Sequence, residues 1–329
     1  MKTYRVAVVG ATGLVGRTIL QVLEERNFPI EKLYLFASKR SAGKQIEFNG
    51  EKITVDELNE TNIKKQFDLV MFSAGGKISK QYAPLARKQG AIVVDNSSAW
   101  RMDDSVPLIV PEVNSNEVNN HQGIIANPNC STIQAVVPLG VLHKMNRIKR
   151  VVYSTYQAVS GAGRGGLDDL EEGMKGHPPS HFPRAIAYNV IPHIDELTPS
   201  GYTKEEIKMM DESKKILGDS SIQFTATTVR VPVQHGHSIS INVELEYPFH
   251  LERIKEQLRQ VESIVVYEDP DYPTPIEVAG KDTIHIGRIR RDPSVPNGLN
   301  LWVVADNIRK GAATNTVQIA ELLVRRGLL

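Results

Sequence analysis

The chain has 329 residues, and its 39 Lys and Arg residues against 38 Asp and Glu residues give a formal net charge of +1. This length predicts two domains. The near-zero net charge and the lack of long like-charged runs argue against nucleic acid as a partner. The single cysteine, Cys130, excludes an intrachain disulfide and any cysteine-rich zinc or iron-sulfur site.

The first residues run directly into an apolar, strand-like segment and do not form a signal-peptide pattern. No later stretch has the roughly 18 uninterrupted apolar residues of a membrane-spanning helix. We therefore expect a soluble cytoplasmic protein without a membrane partner.

Short apolar runs alternate with helical stretches in the first part of the chain. The runs that suit strands buried on both faces are residues 5–9, 32–37, 69–72 and 92–94. Between the first two runs, residues 14–27 carry apolar side chains at helical spacing. This β-α-β opening predicts an α/β fold with a Rossmann-like, doubly wound parallel sheet.

The pattern changes after about residue 150. Residues 238–246 alternate strictly between apolar and polar side chains, which is typical of a strand with one solvated or differently packed face. Other strand-like runs lie at 151–159, 222–229 and 301–305, and helical patterns lie at 204–217, 251–263 and 312–326. We predict a first domain over 1–129 and a second, α+β domain over 130–307 with a largely antiparallel or mixed sheet. The helix of 308–329 should pack back on the first domain.

A glycine-rich turn, Gly10-Ala11-Thr12-Gly13-Leu14-Val15-Gly16, follows the first strand and opens the first helix. In such a turn, backbone N–H groups and the helix dipole hold a pyrophosphate. The spacing is G-x-x-G-x-x-G and not G-x-G-x-x-G, and the alternative is a tight strand-to-helix turn that binds nothing. Its place at the first strand of a β-α-β unit favours dinucleotide binding.

The end of the second predicted strand indicates which dinucleotide binds. An NAD site has an acidic residue here for the ribose hydroxyls, whereas this chain has Ser38-Lys39-Arg40-Ser41. Lys39 and Arg40 could pair with a 2′-phosphate, and Ser38 and Ser41 could donate hydrogen bonds to it. The sequence thus favours NADP over NAD, with a solvated basic loop as the alternative.

Cys130 lies near the start of a predicted helix, because the polar residues 127–132 precede an apolar stretch at 133–142. The helix dipole there favours the thiolate, which is the reactive form of cysteine. The alternative is an inert, small core residue. Polar neighbours at a domain boundary favour the reactive interpretation.

A thiolate nucleophile needs a partner that handles protons, and His237 in His235-Gly236-His237-Ser238 is the best candidate. Arg230 lies seven residues before it. On a regular strand this spacing puts the two side chains on opposite faces, but Pro232 and Gly236 can break the regularity. The alternatives are a structural histidine and a metal site on His-x-His, for which the sequence does not place a third ligand.

Taken together, these motifs resemble the aspartate-semialdehyde dehydrogenase family. The resemblance extends through residues 95–101, 154–163 and 306–313. It implies that NADPH reduces aspartyl 4-phosphate to aspartate 4-semialdehyde, with release of phosphate, through a thioester on Cys130. It also implies a homodimer with a role in lysine, methionine and threonine synthesis. The alternatives are an N-acetyl-glutamyl-phosphate reductase and a non-catalytic NADP-binding sensor.

The resemblance implies a role for individual residues of both predicted domains. Cys130 would be the nucleophile, His237 the general acid/base, and Gln157 would position the acyl group. The implied substrate contacts are Arg230 for the α-carboxylate, Glu205 for the α-amino group, Arg101 and Lys208 for the phosphate, and Asn129. The implied cofactor contacts are Gly10, Thr12, Gly13, Leu14, Val15, Ser38, Arg40, Ser41, Ser73, Gly75, Ser160, Gly161 and Asn307.

Two regions are open to a second interpretation. Glu205 and Lys208 are three residues apart on a predicted helix and could meet one ligand, but such a pair is also typical of a surface ion pair. Residues 164–187, which include Gly176-His177-Pro178-Pro179-Ser180-His181, depart from the family's pattern. The resemblance therefore assigns no contacts to them.

Overall fold

The computed structural model describes residues 2–329, and the contacts between residues divide the chain into two compact units. The first unit runs up to Pro128 and also includes Ala312–Leu329, and the second unit is Asn129–Gly311. The assignment of separate functions to the predicted domains, 1–129 and 130–307, stays a prediction. No helix in residues 2–329 is long and apolar enough to cross a membrane.

The secondary structure alternates between strands and helices in the first unit and is mixed in the second. The strands are β1 (Tyr4–Val9), β2 (Ile30–Ala37), β3 (Gln45–Phe48), β4 (Glu51–Glu57), β5 (Leu69–Phe72), β6 (Ile92–Asp95), β7 (Ile124–Ala126), β8 (Ile148–Gln157), β9 (Gln223–Arg230), β10 (His237–Leu245), β11 (Ile264–Val266), β12 (Ile284–Asp292) and β13 (Gly298–Ala305). The helices are α1 (Leu14–Glu25), α2 (Glu60–Ile63), α3 (Gly76–Lys88), α4 (Pro111–Asn114), α5 (Cys130–Met145), α6 (Arg164–Met174), α7 (Lys204–Leu217), α8 (Leu251–Arg259), α9 (Pro275–Val278) and α10 (Thr314–Arg325).

The first unit is built on a sheet with the strand order β3-β4-β2-β1-β5-β6-β7. Its pairs are parallel except for the β3–β4 hairpin. This confirms the predicted Rossmann-like fold. The direction in which strands are added reverses between β1 and β5, so the carboxyl ends of these two strands form the crevice where such sheets bind ligands.

The core of the first unit explains why its central strands are apolar throughout. Val6, Val8 and Val9 of β1 are fully buried, because strands lie on both sides of β1 and helices cover the sheet. Side chains of α1 and α10, such as Leu23 and Val317, belong to the same core cluster. The C-terminal helix therefore completes the core of the first unit.

The second unit contains a sheet with the order β11-β12-β13-β10-β8-β9. The β11–β12 and β8–β9 pairs are parallel, and the pairs between them are antiparallel, so the predicted mixed sheet is confirmed. Along β10, Ile239, Ile241 and Val243 are fully buried while the residues between them are partly exposed, as the alternating pattern predicts. The helix α5 packs against β8, β10 and α7, and this explains why it is apolar on every side.

Candidate active site

One end of the sheet in the second unit gathers three of the predicted site residues. Gln157 and Arg230 end the parallel strands β8 and β9 and are paired in register. His237 begins β10, which runs antiparallel to β8. A strand that runs antiparallel to its neighbour begins where the neighbour ends. The three side chains therefore lie at the same end of the sheet.

The backbone of Ala158 holds both Arg230 and His237. The Ala158 N–H donates to His237 Nδ1 at 2.9 Å, and the Ala158 carbonyl accepts from Arg230 Nη1 at 2.7 Å. A side-chain carbon at Gly161 would lie 3.0 Å from Arg230 Nη1 and 3.3 Å from His237 Nε2. The irregular connection between β9 and β10, where Gly236 has φ +90°, thus brings the two side chains together.

The environment of His237 sets its protonation state. The ring is fully buried, and burial together with the charge of Arg230 lowers the pKa of His237 well below its usual range. Since Nδ1 accepts a hydrogen bond from an N–H, the neutral ring carries its proton on Nε2. This Nε2 has no hydrogen-bond partner among residues 2–329. His237 therefore presents a neutral N–H donor to the site.

Cys130 is the first residue of α5 and is half-buried. The preceding residue, Asn129, caps the helix, because its side-chain oxygen accepts from the backbone N–H groups of Ser131 at 3.0 Å and Thr132 at 3.2 Å. A thiol at this position is exposed to the positive end of the helix dipole, which favours the thiolate. The predicted helix therefore begins three residues earlier than its apolar stretch and places Cys130 in its first turn.

Arg230 is a buried cation whose charge interacts with those of Glu205 and Cys130. Burial lowers the pKa of Arg230, and the negative charges of Glu205 and Cys130 oppose this shift. Only 6% of Arg230 is exposed, and its Nε atom has no hydrogen-bond partner among the described residues. A buried guanidinium with an unpaired N–H is typical of a site that binds an anion.

Glu205 links the two sides of the site through its carboxylate. Oε1 accepts from Asn129 Nδ2 at 2.8 Å and from Gln157 Nε2 at 3.2 Å, and Oε2 accepts from Lys208 Nζ at 3.3 Å. Glu205 is buried, so it does not form a simple surface ion pair with Lys208, which also contacts Asp195 at 2.6 Å. A carboxylate accepts about four hydrogen bonds, so one position on Glu205 stays open to a ligand.

The sequence analysis missed two side chains that position this site. Glu212 Oε2 accepts from the backbone N–H of Asn129 at 2.6 Å, and Gln134 Nε2 donates to the His237 carbonyl at 3.0 Å. Both follow a predicted residue on the same helix face, since Glu212 lies two turns after Glu205 and Gln134 one turn after Cys130. These helical spacings are the signal that could have identified them.

The predicted dinucleotide turn lies at the crevice of the first unit. Gly10 has φ +82°, and a side-chain carbon there would lie 2.8 Å from the carbonyl oxygen and the hydroxyl of Ser73. Gly13 is the N-cap residue of α1. None of the described side chains forms a capping hydrogen bond at this end of the helix, and the first turn of α1 contains no acidic residue. Leu14 and Val15 are the first two residues of this helix, Thr12 lies just before its N-cap, and Gly75 is the N-cap of α3. The backbone N–H groups at the start of such helices could hold the phosphates of a dinucleotide.

The basic turn follows β2 at the same edge of the sheet. Residues 39–41 form a short 3-10 turn in which Arg40 is exposed and Ser41 is buried, and the exposed Ser38 precedes it. The Ser41 N–H donates to the Ser38 carbonyl at 2.8 Å, which fixes the turn. Arg40 therefore extends from a fixed backbone, as recognition of a 2′-phosphate would require.

Ser160, Gly161 and Asn307 lie in the second unit, next to His237. Asn307 Oδ1 accepts from the Gly236 N–H at 2.9 Å, and its Nδ2 donates to Ser160 Oγ at 3.0 Å. These contacts brace the turn that leads into His237. Arg101 is part of the first unit, where its Nη2 donates to the carbonyl of Asn96 at 2.7 Å.

Comparisons with known proteins give the family. Two models match the chain, "Semialdehyde dehydrogenase, NAD binding domain" over residues 5–121 and "Semialdehyde dehydrogenase, dimerisation domain" over residues 139–310. An aspartate-semialdehyde dehydrogenase from Aquifex aeolicus is 53% identical, with 99% of each chain covered. An aspartate-semialdehyde dehydrogenase from Bacillus subtilis is 45% identical, with 98% of each chain covered. The chain belongs to the aspartate-semialdehyde dehydrogenase family.

Solved structures agree with this family. The crystal structure of aspartate semialdehyde dehydrogenase II from Vibrio cholerae matches with a TM-score of 0.96 at 46% identity, over 98% of this chain and 99% of the other. The structure of aspartate semialdehyde dehydrogenase with NADP from Candida albicans matches with a TM-score of 0.80 at 26% identity, over 100% of both chains. The resemblance drawn from the motifs is confirmed.

Membership in this family defines the class of protein. The chain is an oxidoreductase of amino-acid biosynthesis, with one domain for a nicotinamide dinucleotide and one for dimerisation. The glycine turn in the first unit and the network around Cys130 in the second unit lie within or beside the matched segments.

Proposed function

We propose that the protein catalyses the NADPH-dependent reduction of L-aspartyl 4-phosphate to L-aspartate 4-semialdehyde and phosphate, through a thioester on Cys130. One observation carries the proposal. Two buried N–H donors, Nε2 of His237 and Nε of Arg230, have no hydrogen-bond partner among the described residues, and the charge of Arg230 interacts with that of Cys130. The names of the relatives support the substrate, and the reaction would serve lysine, methionine and threonine synthesis.

The first step is attack by the Cys130 thiolate on the acyl carbon. A carbon–sulfur bond forms, the bond to the phosphate oxygen breaks, and phosphate leaves with both electrons. Because His237 Nε2 already carries a proton, it does not take the thiol proton at that atom. The helix dipole and the charge of Arg230 stabilise the thiolate instead.

His237 acts on the acyl oxygen. Its Nε2–H donates a hydrogen bond to the oxygen, where negative charge develops when the tetrahedral intermediate forms. The chemistry that NADPH supplies when bound is a hydride for the thioester. The alkoxide formed on reduction accepts the same hydrogen bond from His237, and its collapse to the aldehyde expels the Cys130 thiolate.

The substrate would be held at both ends. Arg230 would bind the α-carboxylate through its Nε–H and through the N–H groups that do not bond to Ala158. The open position on Glu205 would accept a hydrogen bond from the α-ammonium. Gln157 and Asn129 would position the acyl group, while Lys208 and Arg101 would hold the phosphate. An N-acetylated substrate lacks the ammonium that the buried Glu205 would bind, which disfavours an N-acetyl-glutamyl-phosphate reductase.

Direct comparison of the two acyl phosphates tests the substrate. We expect kcat/KM for aspartyl phosphate to exceed that for N-acetyl-glutamyl phosphate by at least about 10²-fold, since the acylated amine leaves the Glu205 carboxylate without its partner. Equal efficiency with both substrates would contradict the assignment of Glu205. If neither substrate is turned over, a non-catalytic NADP-binding protein would be favoured.

The cofactor is proposed to be NADP, and Arg40→Ala tests this. Loss of a charge-assisted contact to the 2′-phosphate should raise the KM for NADP about 10- to 100-fold while kcat changes little. The matched control is Lys44→Ala, which removes another exposed cation just after the basic turn. If the unaltered enzyme uses NAD and NADP with equal efficiency, the interpretation of residues 38–41 is wrong.

Arg230→Lys should be severe although it keeps the charge. An ammonium cannot reproduce the two parallel hydrogen bonds of a guanidinium, so the acyl carbon is misplaced against Cys130. We expect steady-state kinetics to show a fall in kcat/KM of at least about 10²-fold with unchanged affinity for NADPH. Arg150→Lys, at an exposed position of β8, serves as the control. Near-normal kinetics of Arg230→Lys would remove Arg230 from the substrate site.

The match to a dimerisation domain supports a homodimer. Sedimentation equilibrium of the purified chain measures this state directly. A mass of one chain at micromolar concentration would contradict it.

A further inference from the structure

The segment after α6 is held by one carboxylate. Asp169 of α6 accepts from the backbone N–H groups of Ser180 at 2.8 Å, His181 at 2.9 Å and Phe182 at 2.7 Å, and from the Ser180 hydroxyl at 2.9 Å. These four bonds fill the acceptor positions of a carboxylate. Only 4% of Asp169 is exposed. The segment 180–182 is therefore fixed to α6.

The hydrogen bonds also fix the charge of Asp169. Burial acts to raise its pKa, but the bonds from Phe182, Ser180 and His181 outweigh burial and lower the pKa to about 2. The carboxylate thus stays ionised at every pH at which the enzyme is assayed. Its hold on the segment does not vary over that range.

This segment presents the ring of Phe182 to Arg230. The Arg230 Cζ atom lies 5.9 Å from the centroid of the ring, within the range of a cation–π contact. A side-chain carbon at Gly166 would lie 3.1 Å from Phe182 Cζ, so the ring packs closely on α6. The ring of His181 meets it edge to face at 5.3 Å. Phe182 thus lies close to both α6 and the Arg230 guanidinium.

Two contacts then determine the orientation of the guanidinium. Nη1 donates to the Ala158 carbonyl at 2.7 Å, and the Phe182 ring packs against the same group. We propose that Asp169 and Phe182 are positioning residues, which hold the Arg230 guanidinium in the plane that binds the substrate carboxylate. This inference rests on the proposed function of Arg230. It gives residues 164–187 a role at the substrate site.

Asp169→Asn tests the first part of this inference. The amide keeps the size of the side chain but has only one acceptor oxygen, and its NH₂ group faces N–H donors. We expect the KM for aspartate semialdehyde to rise about 10-fold, with a smaller change in kcat and no change in the KM for NADP. The matched control is Asp168→Asn, since Asp168 is the adjacent, partly exposed residue and pairs with Arg164 on the surface. Equal effects of the two variants would overturn the role of Asp169.

Phe182→Leu tests the second part without disturbing the carboxylate. It should also raise the KM for aspartate semialdehyde, while Phe182→Tyr, which keeps the aromatic face, should restore it. A general loss of folding would lower kcat and raise both KM values, so a selective change followed by rescue separates positioning from stability. If Phe182→Leu leaves the KM for aspartate semialdehyde unchanged, the inference fails.

A double-mutant cycle of Phe182→Leu with Arg230→Lys separates the inference from the proposed function. If Phe182 acts through Arg230, Phe182→Leu has little further effect on kcat/KM in the Arg230→Lys background. A large loss from Arg230→Lys combined with a full, independent loss from Phe182→Leu overturns the inference and leaves the role of Arg230 intact. If Arg230→Lys alone has no effect, the proposed role of Arg230 fails, and the inference fails with it.

Discussion

Replacement of Cys130 by alanine should abolish turnover and leave NADPH binding unchanged. Without the thiolate no thioester forms, so we expect kcat to fall by at least about 10⁴-fold. The residues proposed to bind the phosphates of the cofactor lie in the glycine turn of the first unit, whereas Cys130 lies in the second unit. Both quantities are measured on one preparation, by steady-state kinetics and by fluorescence titration with NADPH.

Cys130→Ser is the control for the helix that carries the nucleophile. It keeps the size of the side chain and the cap by Asn129, but its hydroxyl does not ionise near neutral pH, so it should be as inactive as the alanine variant. Residual activity of Cys130→Ala within about tenfold of the unaltered enzyme corresponds to only about 1.4 kcal/mol. That is too little for the loss of a nucleophile and would remove Cys130 from the mechanism.

His237→Asn should produce the second-largest loss, about 10²- to 10³-fold in kcat, because it removes the hydrogen-bond donor to the acyl oxygen. The asparagine side chain is shorter than imidazole and cannot both accept from the Ala158 N–H and reach the acyl oxygen. The matched control is His235→Asn, which changes a histidine that lies two residues away in the same turn. Equal losses in both variants, or activity restored by added zinc, would instead support a metal site on the two histidines.

The pH dependence gives an independent check on His237. Its pKa lies well below the usual range because of burial and the charge of Arg230, so the ring is neutral over the ordinary assay range. As the pH falls through this lowered pKa, Nδ1 gains a proton and loses its hydrogen bond from Ala158. Activity should therefore fall only at acid pH, on a limb that lies below the usual pKa of histidine and is absent in His237→Asn.

Much of the fold follows from local sequence patterns. An unbroken apolar run predicts β1 as a central strand, because such a strand is buried on both faces. Strict alternation predicts β10 with one buried face, because successive side chains of a strand point to opposite faces. The hairpin of β3 and β4 was missed. The strand β3 alternates between exposed polar and buried apolar residues, but its four residues are too short a run to distinguish a strand from chance.

The candidate site is only partly readable in this way. A cysteine before an apolar helix and a histidine near an arginine are visible as residue types, whereas the hydrogen bonds of Glu205 with Asn129 and Gln157 are visible only in the structure. The backbone of Ala158 has no side-chain signal, although it holds both Arg230 and His237. Glu205 with Lys208 has the spacing of a surface ion pair, and only its burial distinguishes it from one.

The same limit applies to residues 164–187. The bonds between Asp169 and residues 180–182 join a helix to a loop 11 to 13 positions later, a separation that no helical or strand period encodes. Composition alone predicts a loop over residues 173–183, which are rich in proline and glycine. Its contact with Arg230 becomes visible only when the chain is folded.

The central claim is that this enzyme couples aspartate semialdehyde, phosphate and NADP through Cys130. The most direct test is the initial rate of NADPH formation, followed by absorbance, with the three components present together and with each one omitted. We predict NADPH formation that requires all three and that is lost in Cys130→Ala. An enzyme that binds NADP but forms no NADPH in the complete mixture, or that forms it equally fast without phosphate, would contradict the claim.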